Sequence, residues 1–348
     1  MILLNPGPVT LSERVRSAML RPDLCHREPE FAALQASIRR KLLAVYDLDP
    51  DAWAAVLLTG SGTAAVEAMI ASLAPPTGLA VLENGIYGER ISHIAAAHHI
   101  PCARIEHGWE EEPDPARVRA AVADGGWLAA VHHETTTGRL NRVDPLAAGG
   151  ATVLLDAVSS FGAEEIPFGE GRVEACAATA NKCLHGVPGT AFVLLRRTFF
   201  ARDRAPRTVY LDLAAHCRAQ DAASTLFTPS VQTCYALDEA LDELAEAGGW
   251  RARRARYRAL MSQVRGELAA LGVEPILPEG ASSCVLNAFR LPAGLSYAAL
   301  HDGLKARGFV IYAGQGRLAE AVFRIAVMGA IADADMDRLV AALRAVLA

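Results

Sequence analysis

Apolar runs of four to six residues alternate with segments of helical spacing over the first two thirds of the chain. Six runs have the length and composition of strands buried on both faces, at residues 55–58, 78–82, 128–132, 152–155, 175–178 and 190–195. Between them, residues 63–73 and 90–98 carry apolar side chains about 3.6 residues apart, which predicts helices. The alternation predicts an α/β fold with a mostly parallel sheet between helices.

The pattern changes in the last third of the chain. Residues 201–230 show no clear period, and residues 231–271 predict a long helical region that Gly248 and Gly249 interrupt. The segments after it predict strand, helix, strand, strand and helix in turn, at residues 284–289, 296–305, 309–312, 322–327 and 333–347. This order predicts a compact α+β unit at the C-terminal end.

Length and composition narrow the class of protein. A chain of 348 residues favours about two domains, which we place at 1–245, an N-terminal arm with a large domain, and 246–348, a small C-terminal domain. Hydrophobic residues make up 52% and charged residues 21%, so a packed interior is expected. No apolar run reaches the length of a membrane span and no secretory leader is visible. We therefore expect a cytoplasmic protein.

Charge and cysteine content exclude further classes. The net charge of −5 gives no electrostatic footprint for nucleic acid or for an anionic membrane, and favours small-molecule partners. Seven cysteines without a CxxC pair argue against a disulfide framework and against a zinc ribbon. The pairs His98-His99 and His132-His133 diverge on any regular element and lack metal-ligand spacing, so no metal site is expected.

A glycine-rich turn joins the first predicted strand to the helix that follows it. Gly60-Ser61-Gly62-Thr63 combines free backbone N–H groups at a helix start with two hydroxyls, which suits a phosphate. Gly60, Gly62 and Ala65 also satisfy GxGxxA, and Glu83 ends the next strand. A dehydrogenase that binds NAD through the 60–65 turn is therefore an alternative, as is a turn without any ligand.

Lysine is rare in this chain, which holds 31 arginines but only Lys41, Lys182 and Lys305. Lys182 follows a small-residue strand and precedes a glycine-rich turn, where open α/β sheets place reactive groups. Apolar surroundings lower the pKa of an amine, and a neutral amine can form a Schiff base. Lys41 and Lys305 lie on predicted helices, in settings typical of ordinary surface lysines.

Asp156 ends the buried run at 151–155, so its carboxylate emerges at the carboxyl end of a strand. Aspartate at such a position often only caps a helix or forms a turn. Beside a reactive lysine and a phosphate-binding turn, however, a carboxylate can keep a pyridinium nitrogen protonated, and pyridoxal phosphate then acts as an electron sink.

Seven segments of the chain resemble the class V, fold-type I pyridoxal-phosphate aminotransferases. They are residues 4–10 (LNPGPVT), 61–63 (SGT), 84–90 (NGIYGER), 133–138 (HETTTG), 156–162 (DAVSSFG), 181–189 (NKCLHGVPG) and 323–329 (FRIAVMG). The resemblance implies a large domain with a mostly parallel seven-stranded sheet between helices, and a small C-terminal α+β domain. It also implies pyridoxal 5′-phosphate as cofactor, an amino donor and a 2-oxo acid as substrates, and a homodimer with shared active sites.

The resemblance also implies roles for individual residues around the cofactor. Lys182 would bind the cofactor covalently and then move the proton, and Asp156 would pair with the ring nitrogen. Val158 and Tyr87 would pack on the two faces of the ring, and Thr135 would hydrogen-bond the phenolic oxygen. The implied phosphate contacts are Ser61, Gly62 and Thr63, with Thr228 reaching the phosphate from the neighbouring subunit.

The substrate is less closely specified by the resemblance. Arg324 corresponds to the arginine that binds the substrate carboxylate or phosphonate, and Gly7 would line the same pocket by its backbone. Residues 181–189 most resemble the branch that transfers the amino group of 2-aminoethylphosphonate to pyruvate, which gives phosphonoacetaldehyde and L-alanine. Residues 25–31 are more like the alanine–glyoxylate and serine–glyoxylate branch. His26 and Arg27 in that segment would be substrate contacts or a charged cluster at a helix start.

Overall fold

The computed structural model describes residues 1–122, 125–147, 150–170, 172–201 and 205–347. The strands are β1 (Ile2–Leu3), β2 (Trp53–Gly60), β3 (Leu79–Glu83), β4 (Cys102–Glu106), β5 (Trp127–Val131), β6 (His133–Glu134), β7 (Arg139–Leu140), β8 (Thr152–Asp156), β9 (Val173–Thr179), β10 (Gly189–Arg196), β11 (Leu286–Arg290), β12 (Phe309–Val310), β13 (Tyr312–Ala313) and β14 (Val322–Ala326). The helices are α1 (Glu13–Ala18), α2 (Pro29–Ala44), α3 (Gly62–Leu73), α4 (Ile86–Ala97), α5 (Pro115–Val122), α6 (Val143–Ala147), α7 (Leu213–Asp221), α8 (Val231–Glu246), α9 (Gly249–Ala270), α10 (Tyr297–Lys305) and α11 (Asp333–Leu347).

The largest sheet has seven strands in the order β2-β10-β9-β8-β5-β3-β4. Neighbouring strands are parallel from β9 through β4, whereas β10 pairs antiparallel with both β2 and β9. The link from β9 to β10 is too short for the crossover that a parallel pair requires, so the chain must turn back there. The predicted α/β fold with a mostly parallel seven-stranded sheet is confirmed.

Several elements differ from the sequence prediction. The pattern missed β4 at the sheet edge, because only Ile105 of its five residues is buried and no apolar run marks it. The aperiodic segment 201–230 contains α7, whose start is fixed by Asp212 accepting hydrogen bonds from the Ala214 and Ala215 backbone. The single strand expected at 309–312 is divided into β12 and β13, which join different sheets.

Helices cover both faces of the seven-stranded sheet. One face packs against α3, α4 and α7, and the other packs against α2 and α8. The expected interruption at Gly248 and Gly249 is confirmed, since α8 ends at Glu246 and both glycines have positive φ angles of 93° and 74°. Within the ranges given above, no helix has the length and apolar character that a membrane crossing requires.

The C-terminal unit is built on the sheet β11-β14-β13 with α9, α10 and α11 packed around it. The N-terminal arm belongs to the same hydrophobic core, because Leu4 and Val9 are buried in it. The arm also pairs in parallel with β12, with Ile2 opposite Phe309. The arm thus lies against the C-terminal unit, and the domain division at residue 245 stays a prediction.

Parallel strands bring their carboxyl ends to one edge of the large sheet. Three of these ends carry residues of the predicted site: β2 ends at Gly60, β8 ends at Asp156 and β9 ends three residues before Lys182. In open α/β sheets ligands bind along this edge. The fold therefore places the candidate chemistry at this edge of the sheet, and we use the word cleft for the edge and the residues that contact it.

Candidate active site

Lys182 lies in the turn between β9 and β10, at the carboxyl edge of the sheet. Its side chain is half-buried, and its amine makes no hydrogen bond or ion pair with any residue that the structure describes. Burial lowers the pKa of Lys182 to about 8. Lys41, by contrast, forms ion pairs of 2.7 Å with Asp238 and with Asp242. Lys182 is thus poised to act as a neutral amine.

Asp156 is buried at the end of β8. Its Oδ1 accepts a hydrogen bond of 2.9 Å from the Val158 backbone, and Oδ2 has no partner among the described residues. Burial raises the pKa of Asp156 to about 6, although the charge of Lys182 opposes this shift. The carboxylate therefore has one free oxygen, and a cationic partner at that oxygen would stabilise its ionised form.

The turn between β2 and α3 has free hydrogen-bonding groups. Ser61 precedes the helix and Thr63 lies in its first turn; both side chains are exposed, and the Ser61 hydroxyl does not cap the helix. A Cβ atom at Gly62 would lie 2.8 Å from Val158 Cγ1, so only glycine fits there without a shift. The first N–H groups of α3 have no intrahelical partner, and the turn offers donors to an anion.

Glu134 organises the neighbouring wall of the cleft, a role that sequence reasoning missed. The side chain is fully buried, and its Oε2 accepts hydrogen bonds from the backbone of Tyr87 (3.2 Å) and Gly88 (3.3 Å). Its Oε1 accepts from the Thr136 backbone at 3.1 Å and from the Thr136 hydroxyl. Burial raises the pKa of Glu134 to about 7. The sequence signal that could have found this anchor was the acid inside the resembling segment 133–138.

Arg324 comes from β14 of the C-terminal unit and is only 2% exposed. Its guanidinium donates to three neutral acceptors: the carbonyl of Ala313 (2.8 Å), the carbonyl of Thr135 (3.0 Å) and Oε1 of Gln315 (3.0 Å). Nη2 has no protein partner, and Arg324 forms no ion pair within the described ranges. Burial lowers its pKa. Arg324 is therefore a buried cation whose described hydrogen-bond partners are all neutral, and one of them is the backbone carbonyl of Thr135.

The N-terminal arm closes the cleft from the other side. Gly7 has a φ of +110°, and a Cβ atom there would lie 2.9 Å from Lys182 Cδ and 3.2 Å from the Asn181 carbonyl oxygen. The structure thus brings Gly7 to Lys182. Asn181 itself is held by the Thr179 hydroxyl at 2.8 Å. Two distant parts of the chain, the N-terminal arm and the turn after β9, thus meet at this lysine.

Three predicted residues have no contact that assigns a role. Thr228 is exposed, and its hydroxyl bonds to no described residue, so its action across a subunit boundary stays a prediction. Arg27 donates to the Thr225 carbonyl at 2.9 Å, and therefore holds the segment just before Thr228. His26 is half-buried without a described hydrogen bond.

The dinucleotide alternative for the 60–65 turn is wrong. A dinucleotide fold places its glycine-rich strand inside a parallel sheet, whereas β2 lies at the sheet edge and pairs only with the antiparallel β10. Glu83, the acid expected to bind a ribose, is instead held by Arg104 at 2.8 and 2.7 Å. Its carboxylate is therefore occupied.

The histidine pairs do not form a metal centre in the part of the chain that is described, where no group of three or more His, Cys, Asp or Glu side chains is arranged to hold an ion. His132 and His133 are buried, and burial lowers the pKa of each to about 4. Nδ1 of His132 bonds to the Ser160 hydroxyl at 2.9 Å. Both are neutral packing residues at neutral pH.

The residues at the cleft fit pyridoxal 5′-phosphate. Its aldehyde needs an unpaired amine, its ring nitrogen needs a carboxylate, and its phosphate needs a turn rich in donors. Lys182 and Oδ2 of Asp156 supply the first two groups without a competing partner among the described residues, and the turn at 61–63 supplies the third, where the Thr63 hydroxyl accepts a long hydrogen bond of 3.5 Å from Arg90. The donor set therefore agrees with the cofactor predicted from the sequence.

Comparison with known proteins agrees with the site. A sequence model of the family described as Aminotransferase class-V matches residues 26–318. The 2-aminoethylphosphonate–pyruvate transaminase of Vibrio vulnificus (strain CMCP6) is 37% identical over 355 aligned positions, which cover 98% of this chain and 96% of that protein.

Solved structures show the same fold. An aspartate aminotransferase of subgroup IV from Thermus thermophilus matches with a TM-score of 0.89 and 29% identity, over 100% of this chain and 99% of its own. An alanine–glyoxylate aminotransferase from Nostoc sp. matches with a TM-score of 0.90 and 25% identity, over 100% and 95%. The predicted fold-type I architecture is confirmed. The chain therefore belongs to the class V aminotransferases, whose cofactor is pyridoxal 5′-phosphate.

Proposed function

We propose that this protein transfers the amino group of 2-aminoethylphosphonate to pyruvate, which yields phosphonoacetaldehyde and L-alanine. The observation that carries the proposal is the guanidinium of Arg324, which is buried beside Thr135 and has only neutral protein acceptors. A buried cation of this kind needs an anionic guest. Similarity to transaminases named for this donor and acceptor supports the choice of guest.

Arg324 suits both substrates in turn. Nε and Nη1 already donate to protein oxygens, so the two N–H groups of Nη2 are the ones left to bind a carboxylate or a phosphonate. The donor presents a phosphonate and the acceptor presents a carboxylate, and the N–H groups of the free Nη2 can donate to either anion. Gln315 would orient the guanidinium, since its amide oxygen accepts from Nη1.

The residues that would hold the cofactor are those expected from the sequence. Asp156 would accept the ring N–H through Oδ2, and Val158 and Tyr87 would pack against the ring. Thr135 would bond the phenolic oxygen, because its own hydroxyl has no partner among the described residues. The phosphate would lie at the start of α3, on Ser61, Gly62 and Thr63. When bound, pyridoxal phosphate supplies an aldehyde that reacts with amines and a ring that withdraws electron density.

Lys182 would do the proton chemistry. A pKa of about 8 leaves about a tenth of the amine neutral at pH 7, and the neutral Nζ can take a proton from the amine-bearing carbon of the substrate and deliver it to the carbon that had been the cofactor's aldehyde carbon. The Gly7 backbone would restrict the lysine side chain to the cleft. The burial of Thr135, Asp156 and Arg324 keeps water from the reacting atoms.

The direct test is to follow products. Purified protein with pyridoxal phosphate, 2-aminoethylphosphonate and pyruvate should form L-alanine and phosphonoacetaldehyde in equal amounts, and Lys182→Ala should form neither. Formation of glycine from alanine and glyoxylate, with no turnover of the phosphonate, would instead assign the protein to the glyoxylate branch. The structural neighbour of that name is less identical to this chain than the phosphonate relatives are.

The proposal includes a cytoplasmic homodimer with shared sites, in which Thr228 reaches the partner's cofactor phosphate. Its exposed and unbonded hydroxyl supports that role. Mixing inactive Lys182→Ala and weakened Thr228→Ala proteins tests it, because a mixed dimer rebuilds one intact site. Activity should recover above that of either protein alone; no recovery after confirmed subunit exchange would contradict the sharing of Thr228.

A further inference from the structure

Arg90 is a second cation beside the turn that joins β2 to α3. It lies one helical turn after Tyr87 on α4, with its guanidinium carbon 4.7 Å from the centroid of the Tyr87 ring. Its Nη1 lies 3.5 Å from the Thr63 hydroxyl. The side chain is half-buried and forms no ion pair with a described residue. An arginine held in place without a carboxylate can bind an anion at its free N–H groups.

The charge balance of the cleft points the same way. Burial lowers the pKa of Lys182, and the positive charges of Arg324 and Arg90 lower it further. The carboxylates there are Asp156 and Glu134, and burial raises the pKa of both, to about 6 and about 7. The cleft therefore has more positive than negative charge and suits two anionic guests.

The two arginines lie at different ends of the cleft. Arg324 is bonded to Thr135 and to residues of the C-terminal unit, which is the proposed substrate side. Arg90 lies at Thr63, on the proposed phosphate side. A helix start provides only about half an elementary charge, whereas a phosphate monoester carries up to two negative charges near neutral pH. The turn at 61–63 alone therefore leaves much of that charge without a partner.

We infer that Arg90 is the cationic contact of the cofactor phosphate, and that the Tyr87 ring beneath its guanidinium holds it at the turn. The inference rests on the proposed position of the phosphate at Ser61–Thr63. Stacking uses the flat face of the guanidinium and leaves the N–H groups at its edge free to bond phosphate oxygens.

The test measures binding to the apoprotein by calorimetry, with pyridoxal phosphate and with pyridoxal, which lacks the phosphate. Arg90→Gln should raise the Kd for pyridoxal phosphate about tenfold or more and leave the Kd for pyridoxal unchanged. Arg90→Lys should recover much of the affinity, since it keeps the charge. Added salt should weaken pyridoxal phosphate binding more steeply in the wild type than in Arg90→Gln.

Three outcomes would overturn the inference. They are an unchanged Kd for pyridoxal phosphate, an equal loss for both vitamers, and a rise confined to the KM for 2-aminoethylphosphonate. Ser61→Ala and Thr63→Val test the phosphate position separately: if neither weakens pyridoxal phosphate binding, the proposed position fails. If they weaken it and Arg90→Gln does not, only the role of Arg90 fails.

Arg338→Gln is the matched control. Arg338 lies on α11, and its guanidinium carbon lies 5.3 Å from the centroid of the Phe309 ring. Its replacement should change the Kd of neither vitamer. Thermal unfolding of each apoprotein monitors folding. If Arg90→Gln does not fold, Arg90→Lys and the salt dependence of the wild type decide the question: a wild-type Kd that is insensitive to salt contradicts the inference.

Discussion

The backbone of Gly7 lies directly against the side chain of Lys182, although the two residues come from distant parts of the chain. A Cβ atom at Gly7 would lie 2.9 Å from Lys182 Cδ and 3.1 Å from Cε. The N-terminal arm that carries Gly7 is fixed by its pairing with β12. The position of Lys182 therefore depends on a segment that packs with the C-terminal unit.

Replacing Gly7 with alanine should displace the lysine. We expect Gly7→Ala to lower kcat at least about tenfold, because a misplaced reacting group loses orientation, and to change the absorbance of the bound cofactor. Gly272→Ala is the control, since Gly272 also has a positive φ, of +74°, but nothing lies within 4 Å of its added Cβ. Equal losses of kcat in both variants would show that backbone strain, and not the contact with Lys182, is responsible.

The lowered pKa of Lys182 predicts how fast the apoprotein takes up its cofactor. Only the neutral amine reacts, so below pH 8 the uptake rate should rise about tenfold for each pH unit, and it should level off above a pKa of about 8. Stopped-flow absorbance measures the rate. A rise that continues to pH 10 would indicate an ordinary lysine, and Lys182→Arg should show no covalent uptake at any pH.

Asp156 should destabilise the apoprotein. Its pKa is raised from 3.8 to about 6 in the folded chain, so the unfolded chain loses its proton first as pH rises. The free energy of unfolding therefore decreases as the pH rises from about 4 to about 6. Above pH 6 it stays lower by about 3 kcal/mol than it is below pH 4. Asp156→Asn should raise the free energy of unfolding in urea at pH 8 by up to that amount, yet bind pyridoxal phosphate more weakly.

The control for this prediction is the same comparison at pH 4.5, where Asp156 is mostly protonated in the folded state and the difference should shrink to about 1 kcal/mol. A wild type and variant of equal stability at pH 8 would mean that Asp156 carries no cost of burial.

Arg324 should govern substrate binding and not cofactor binding. Arg324→Gln should lower kcat/KM for 2-aminoethylphosphonate and for pyruvate about 100-fold or more, with the Kd for pyridoxal phosphate unchanged. Arg324→Lys should recover little, since the three N–H donors of a lysine cannot serve the Ala313, Thr135 and Gln315 oxygens and a substrate anion together. Arg265→Gln is the control, because Arg265 also donates to neutral acceptors, Asn287 Oδ1 and the Leu277 carbonyl. A higher Kd for pyridoxal phosphate in Arg324→Gln would instead show that this arginine binds the cofactor.

Glu134 should be needed for the position of Tyr87. The amide of Glu134→Gln accepts hydrogen bonds through its oxygen only. Its NH2 group would therefore face the donors of either Thr136 or the pair Tyr87 and Gly88, and those hydrogen bonds would be lost. We expect a loss of about 1–3 kcal/mol in stability and a weaker Kd for both pyridoxal and pyridoxal phosphate. Glu89→Gln, in the first turn of the same helix, should change neither quantity. Unchanged Kd values for both vitamers in Glu134→Gln would show that Glu134 does not contribute to cofactor binding.

Much of the large sheet was predictable, because strands buried on both faces are runs of apolar residues. β4 was not, since an edge strand leaves most of its side chains in water and its identity depends on pairing with β3. The division of 309–312 into β12 and β13 depends on two different partners, β1 and β14. No local pattern specifies which strand pairs with which.

The sequence by itself determined the elements that end at the carboxyl edge of the sheet, the glycine-rich turn at 61–63 and the rare Lys182, because spacing and residue type act over a few neighbours. Only the tertiary structure decided that Gly7 lies on Lys182, that Glu134 holds Tyr87, and that Arg324 is buried without an acid. Burial and charge pairing depend on residues far apart in the chain, so pKa values and unpaired groups exist only once the chain has folded.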